Sequence, residues 1–157
     1  MTLLFLPVTG AQLADWQAAG VLAGPLKAHA ATLGLSAAFE ASDPEEAEHL
    51  ALLVASVAAL AASGVRQVAV LEAGAEPIVD TGTDVDFGAV VTRDLRFDAI
   101  QSLFADEPDA PGLAEAARAA TGLALQDAWN HPAVTVLLEE GDLLWYGAGE
   151  WQSLGKG

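Results

Sequence analysis

Apolar and polar positions change their period several times along this chain, and each change marks an element. Leu3-Leu4-Phe5-Leu6 is an unbroken apolar run stopped by Pro7, which predicts a buried first strand. Thr9 stands three residues ahead of Gln12, a capping-box spacing. Leu13, Trp16 and Ala19 follow at helical intervals as far as Gly20. Gly24-Pro25 resets the chain, 26–32 reads as a second short strand and 34–39 as one or two helical turns. The strongest pattern comes next. Ser42 is the expected cap and Glu45 its capping-box partner, with Pro44 in the first turn and Glu45, Glu46 and Glu48 at the positive end. Leu50, Leu53, Val54, Val57 and Leu60 then run to Ser63-Gly64, with alanines over much of the other face, so a long buried helix is predicted over 43–63.

Directly after it, Val68-Ala69-Val70-Leu71 has the continuous apolar character of a strand covered on both faces. A polar connector with Gly74, Pro77 and Gly82 follows, then strands are expected at 87–91 and 98–105. Pro108 and Pro111 precede a helix at 112–121, stopped by Gly122, and a short helix at 125–129 ends before His131-Pro132. The runs 134–138 and 143–146 flank Glu139-Glu140-Gly141-Asp142 and read as a β-hairpin. The predicted fold class is α+β with α/β character. It is a mixed β-sheet of about five to seven strands with helices packed on it, in one globular domain over 1–157.

Composition narrows the function classes. Hydrophobic residues make up 53% of the 157, enough for a packed core, although much of that fraction is alanine. Cysteine is absent, which removes disulfides, Cys-based metal centres and thiol chemistry. Twenty-two acids stand against six bases, a formal charge of −16, and Lys27 and Lys156 are the only lysines. That balance argues against binding to nucleic acid or to anionic membranes, since both require neutralising cations. The N-terminal apolar run is short and lacks a basic residue ahead of it, and the apolar stretch at 50–65 is short for a membrane span. A soluble cytoplasmic protein is expected.

Motifs that carry chemistry are few. Glu46-x-x-His49 has the spacing of a di-iron helix, but no second copy accompanies it, and acids are favoured there by the helix dipole. His29, His49 and His131 are too far apart in sequence to suggest a metal site, and His131 reads as a loop residue. The stretch 80–86 carries Asp80, Asp84 and Asp86 without the glycine and glutamate positions of a calcium loop, and reads as a solvated turn. Neither a phosphate-binding glycine loop nor a nucleophile elbow is present. Trp145, Tyr146 and Trp151 fall within seven residues of a chain that is 6% aromatic. They either fill a core short of bulk or form a binding surface.

Leu6-Pro7-x-Thr9, Gly24-Pro25-Leu26, Asp43-x-Glu45-Glu46-x-Glu48 and above all Asp142-Leu-Leu-Trp-Tyr146 resemble a family of uncharacterised actinobacterial proteins of similar length, a domain of unknown function. The resemblance covers nearly the whole chain. It departs at Phe104, where the family tends to carry a histidine ahead of the acidic pair Asp106-Glu107. What it implies is an alanine-rich bacterial cytoplasmic protein, without a named chemistry.

Two functional readings follow. The first is a non-enzymatic interaction or regulatory protein whose partner is another protein or a second copy of the chain, bound through Trp145, Tyr146 and Trp151. The alternative is a metal-dependent hydrolase or small-molecule enzyme in which Asp84, Asp86, Asp106 and Glu107 converge. No cofactor or metal is expected on the first reading.

Overall fold

The computed structural model describes residues 2–154. Its core is a seven-stranded sheet in the order β5-β6-β3-β1-β4-β8-β9. The strands are β1 (Leu3–Pro7), β3 (Leu26–His29), β4 (Gln67–Glu72), β5 (Ile78–Val79), β6 (Ala89–Thr92), β8 (Ile100–Asp106) and β9 (Leu143–Gly147). Two further short strands, β2 (Val21–Leu22) and β7 (Leu95–Arg96), pair with each other. The α+β class and the long helix are as expected. Within that class every pairing is antiparallel rather than mixed.

Both faces of the sheet are covered, which is why its central strands read as continuous apolar runs. On one face Leu4, Leu6, Ala69, Leu71 and Leu103 meet Leu13 and Trp16 of helix α1 (Gly10–Ala19), with Leu95, Tyr146 and Trp151 closing the layer. Trp16 is fully buried and its indole N–H donates to the Leu95 carbonyl at 2.9 Å, so the large ring leaves no polar atom unpaired. On the other face Phe5, Val68 and Val70 meet Leu35 of α2 (Leu33–Ala38) and Ala47, Ala51, Leu52 and Ala55 of α3 (Pro44–Ser63).

Helix α3 is apolar nearly all round because it is sandwiched. Its outer side, Val54, Val57 and Leu60, packs under α4 (Leu113–Ala120), α5 (Leu125–Trp129) and α6 (Pro132–Glu140). By length and composition α3 is apolar enough to cross a membrane, and 56% of that stretch is buried inside the fold. Its cap lies one residue later than Ser42. Asp43 accepts the Glu46 N–H at 2.8 Å, while the Glu46 carboxylate reaches back to the Ser42 N–H and hydroxyl.

The expected hairpin at 134–138 is a correction: those residues lie in α6. His131 caps it, its Nδ1 accepting the Ala133 N–H at 3.1 Å, and Pro132 sits in the first turn. Val134 and Leu137, three apart, are both fully buried against α3 and its neighbours, so a helical stripe outweighs the β propensity of Val-Thr-Val. Strand β9 therefore pairs with β8, Trp145 opposite Phe104, and not with 134–138. The strand expected from Phe87 begins two residues later. Val85–Phe87 is one turn of 3₁₀ helix, and Gly88 follows at φ +73°. A Cβ at Gly88 would stand 2.3 Å from the Ala30 carbonyl oxygen, so only glycine lets β6 approach β3 here.

Candidate functional site

Lys27 and His29 alternate with Ala28 on β3. Ala28 points into the α1 layer, so both polar side chains face the α3 side. There the last turns of α3 present only Ala58, Ala61 and Ala62. Side chains that end at Cβ leave a gap between helix and sheet. Pro7, Leu123 and Leu125 complete the walls of a depression of about 340 Å³, and Asp84 stands at its rim. The volume and the mostly apolar lining with a few converging polar groups are those of a small-molecule site.

His29 is its chemical centre. The residue is 1% exposed, and its Nδ1 lies 2.8 Å from the Phe87 carbonyl oxygen. A carbonyl only accepts, so Nδ1 carries the proton and Nε2 carries the lone pair. Among the described residues nothing hydrogen-bonds Nε2, and His29 is part of the lining of the depression. Burial holds the His29 pKa below its ordinary 6.5. The Phe87 bond opposes that shift, the Lys27 charge adds to it and the Asp84 charge opposes it. The ring is neutral at pH 7. Lys27 Nζ makes an ion pair with the Asp84 carboxylate; half of the lysine side chain is exposed, while Asp84 is mostly covered. The three groups together carry no net charge. The site can accept a hydrogen bond or a proton at Nε2 and offers an ammonium and a carboxylate beside it.

The four acids of the alternative reading divide among three places. Asp84 lines the His29 depression. Asp86 lies in a separate, smaller depression with Phe39, Phe87 and Trp129. Asp106 and the exposed Glu107 line a third, at the end of β8. Asp106 is 5% exposed and both of its oxygens are engaged. Oδ1 accepts Arg66 Nε at 2.7 Å and Oδ2 accepts the Arg66 backbone N–H at 2.9 Å, while Arg66 also donates to the Gly141 carbonyl at 2.8 Å. This pair ties the start of β4, the end of β8 and the α6–β9 turn together. Among the described residues no group of three His, Asp or Glu side chains is placed to hold a metal ion.

Glu46 of the Glu-x-x-His pattern is held by Ser42, whose hydroxyl and then backbone N–H lower the carboxylate pKa, and His49 is exposed. The aromatic group also divides. Tyr146 and Trp151 pack against the α1 layer, Trp151 edge-on to Phe97 at 6.0 Å, and Trp145 alone is exposed, at 62%. In the sequence His29 is one of three scattered histidines and Lys27 one of two lysines, neither marked as a site. Their one signal was an i, i+2 polar pair on a predicted strand; the alanines of α3 and the Phe87 carbonyl that give the pair its meaning lie far away in sequence.

The model of a family of unknown function, DUF6912, matches residues 2–154. The chain belongs to DUF6912. The match spans the whole sheet and every residue of the His29 depression, so the site described above lies within the DUF6912 region. No curated protein and no solved structure matches the chain.

Proposed function

We propose that this DUF6912 protein binds a small neutral molecule in the His29 depression. The ligand has an apolar body for the alanine and leucine walls and an O–H or N–H group for His29 Nε2. The observation that carries this reading is the fixed tautomer: a buried neutral imidazole, oriented by Phe87 through Nδ1, in the lining of a cavity. The neutral sum of Lys27, Asp84 and His29, within a chain of −16, favours uncharged ligands over anions. Where the bound group is acidic, Nε2 is placed to take its proton, and this is the form in which an enzymatic role fits the geometry.

The test is a two-dimensional NMR screen with small alcohols, phenols and amides. Binders should shift His29 and Leu125 signals. Ala61→Leu, which fills the cavity, should abolish those shifts while the rest of the spectrum stays folded. A screen with no hits, or hits that ignore Ala61→Leu, overturns the proposal. A second reading, partner binding, is supported by the exposure of Trp145 and is taken up below. The absence of cysteine and the acidic balance support cytoplasmic residence, and the Asp142-Leu-Leu-Trp-Tyr146 segment supports an actinobacterial source.

A further inference from the structure

Strand β9 is the outermost strand of the main sheet on its side, paired only with β8. Its backbone parity can be read from one bond. The Gly147 N–H donates to the Glu150 carboxylate at 3.0 Å, so it is not spent on β8 and points away from the ladder. Gly147 stands opposite Ser102, and the register runs without a shift to Asp106 opposite Leu143. Alternation then turns the N–H and C=O of Trp145 and Leu143 outward as well. The open edge thus offers two complete residues of unpaired backbone, Leu143 and Trp145, and the second of them is the most exposed aromatic of the chain, at 62%.

Along the chain the charged residues described on either side of this edge are acidic. Among the described residues after Arg118 there is no Lys or Arg. Exposed Glu140 and Asp142 sit at the Leu143 end, and exposed Glu150 sits at the Gly147 end. We propose that β9 docks an extended basic segment of another protein, which adds a strand to the sheet, packs an apolar side chain on Trp145 and sets a cation against the acids at each end. The acids at 142 and 150 bracket a stretch of about five strand steps, roughly 17 Å, so the cations of the incoming segment are spaced by about that distance. A second copy of the chain fits poorly. Edge-to-edge pairing about Trp145 would bring Asp142 of one copy towards Glu150 of the other, like charge facing like. The opposite edge of the sheet, β5, is only two residues long and follows Pro77, so it offers little backbone to pair.

The experiment uses the full chain and two short alternating Thr-Val peptides, one ended by lysines and one by glutamates. Anisotropy should give the lysine peptide a Kd of about 10–500 µM in low salt, with the glutamate peptide at least about tenfold weaker and the difference shrinking as salt is added. In the wild-type chain the Leu143 and Trp145 amide protons should gain protection from exchange on binding. Trp145→Pro removes the outward N–H without touching the β8 ladder and should weaken binding at least about tenfold, more than Trp145→Ala, which removes only the ring. No binding at about 5 mM, equal binding of both peptides, or unprotected Leu143 and Trp145 amides overturns the proposal. So does a concentration-dependent dimer that Trp145→Ala abolishes, since the edge would then be occupied by a second copy.

Discussion

Asp106→Asn isolates the buried charge pair of Arg66 and Asp106. The substitution keeps shape and removes one negative charge, leaving the Arg66 guanidinium, 1% exposed, with the Gly141 carbonyl and a neutral amide. Two charges about 4 Å apart at an effective dielectric near 20 attract by about 4 kcal/mol. Removing one partner of a buried pair costs about 3–5 kcal/mol, because the other charge stays buried and uncompensated. An amide oxygen can still accept one of the Arg66 N–H groups, so about 3 kcal/mol is expected, a large part of the about 5–15 kcal/mol that stabilises a domain. Urea unfolding followed by circular dichroism, with an unchanged slope, measures it. Arg66→Met combined with Asp106→Leu should cost less than the two single changes added together, since no charge is left stranded. Overall charge predicts the opposite sign: a chain of −16 loses one negative charge in Asp106→Asn and would gain stability if self-repulsion dominated. A cost below about 1 kcal/mol, or simple additivity in the double variant, refutes the assignment of Asp106 to structure.

Other outcomes follow from the same geometry. Gly88→Ala combines a left-handed φ with a Cβ at 2.3 Å from a backbone oxygen, and should cost about 2–4 kcal/mol by thermal or urea unfolding. His29 binds its proton less readily folded than unfolded. Its contribution is therefore fully present above the unfolded pKa of about 6.5 and is lost as pH falls from there through the lowered folded value. His29→Gln should flatten that part of a stability–pH curve, and an unchanged slope would exclude His29 as its source. Trp16→Ala should cost about 3–5 kcal/mol, whereas Trp145→Ala, at an exposed edge, should stay within about 1 kcal/mol.

Much of the fold was legible because local patterns report burial directly. The run Val68 to Leu71 is apolar on both sides because helices cover both sides, and α3 is apolar all round because the sheet and three helices enclose it. Its terminus was legible to within one residue, since Ser42 and Asp43 both have capping side chains and only backbone geometry selects Asp43. At 134–138 the reading failed because β propensity expresses fit to a half-buried pleated surface, and Val134 and Leu137 meet a helix layer instead. The aromatic group divides because β9 turns Tyr146 and Trp145 to opposite faces, as strand alternation requires, and only the tertiary structure decides that the Tyr146 face is the covered one.

The sequence alone determined the class of fold, the long helix, the central strands, and the lack of thiol chemistry that follows from having no cysteine. These depend on period, composition and charge, which are local or additive. The sites were decided by the tertiary structure. His29 meets the Phe87 carbonyl across 58 positions, Arg66 meets Asp106 across 40 and Gly141 across 75. Nothing in the neighbourhood of His29 along the chain says that three alanines of α3 will leave a cavity beside it, or that Phe87 will fix its proton on Nδ1. A hydrogen bond between distant residues is selected by the packing of whole layers, and that packing is where this protein's chemistry is set.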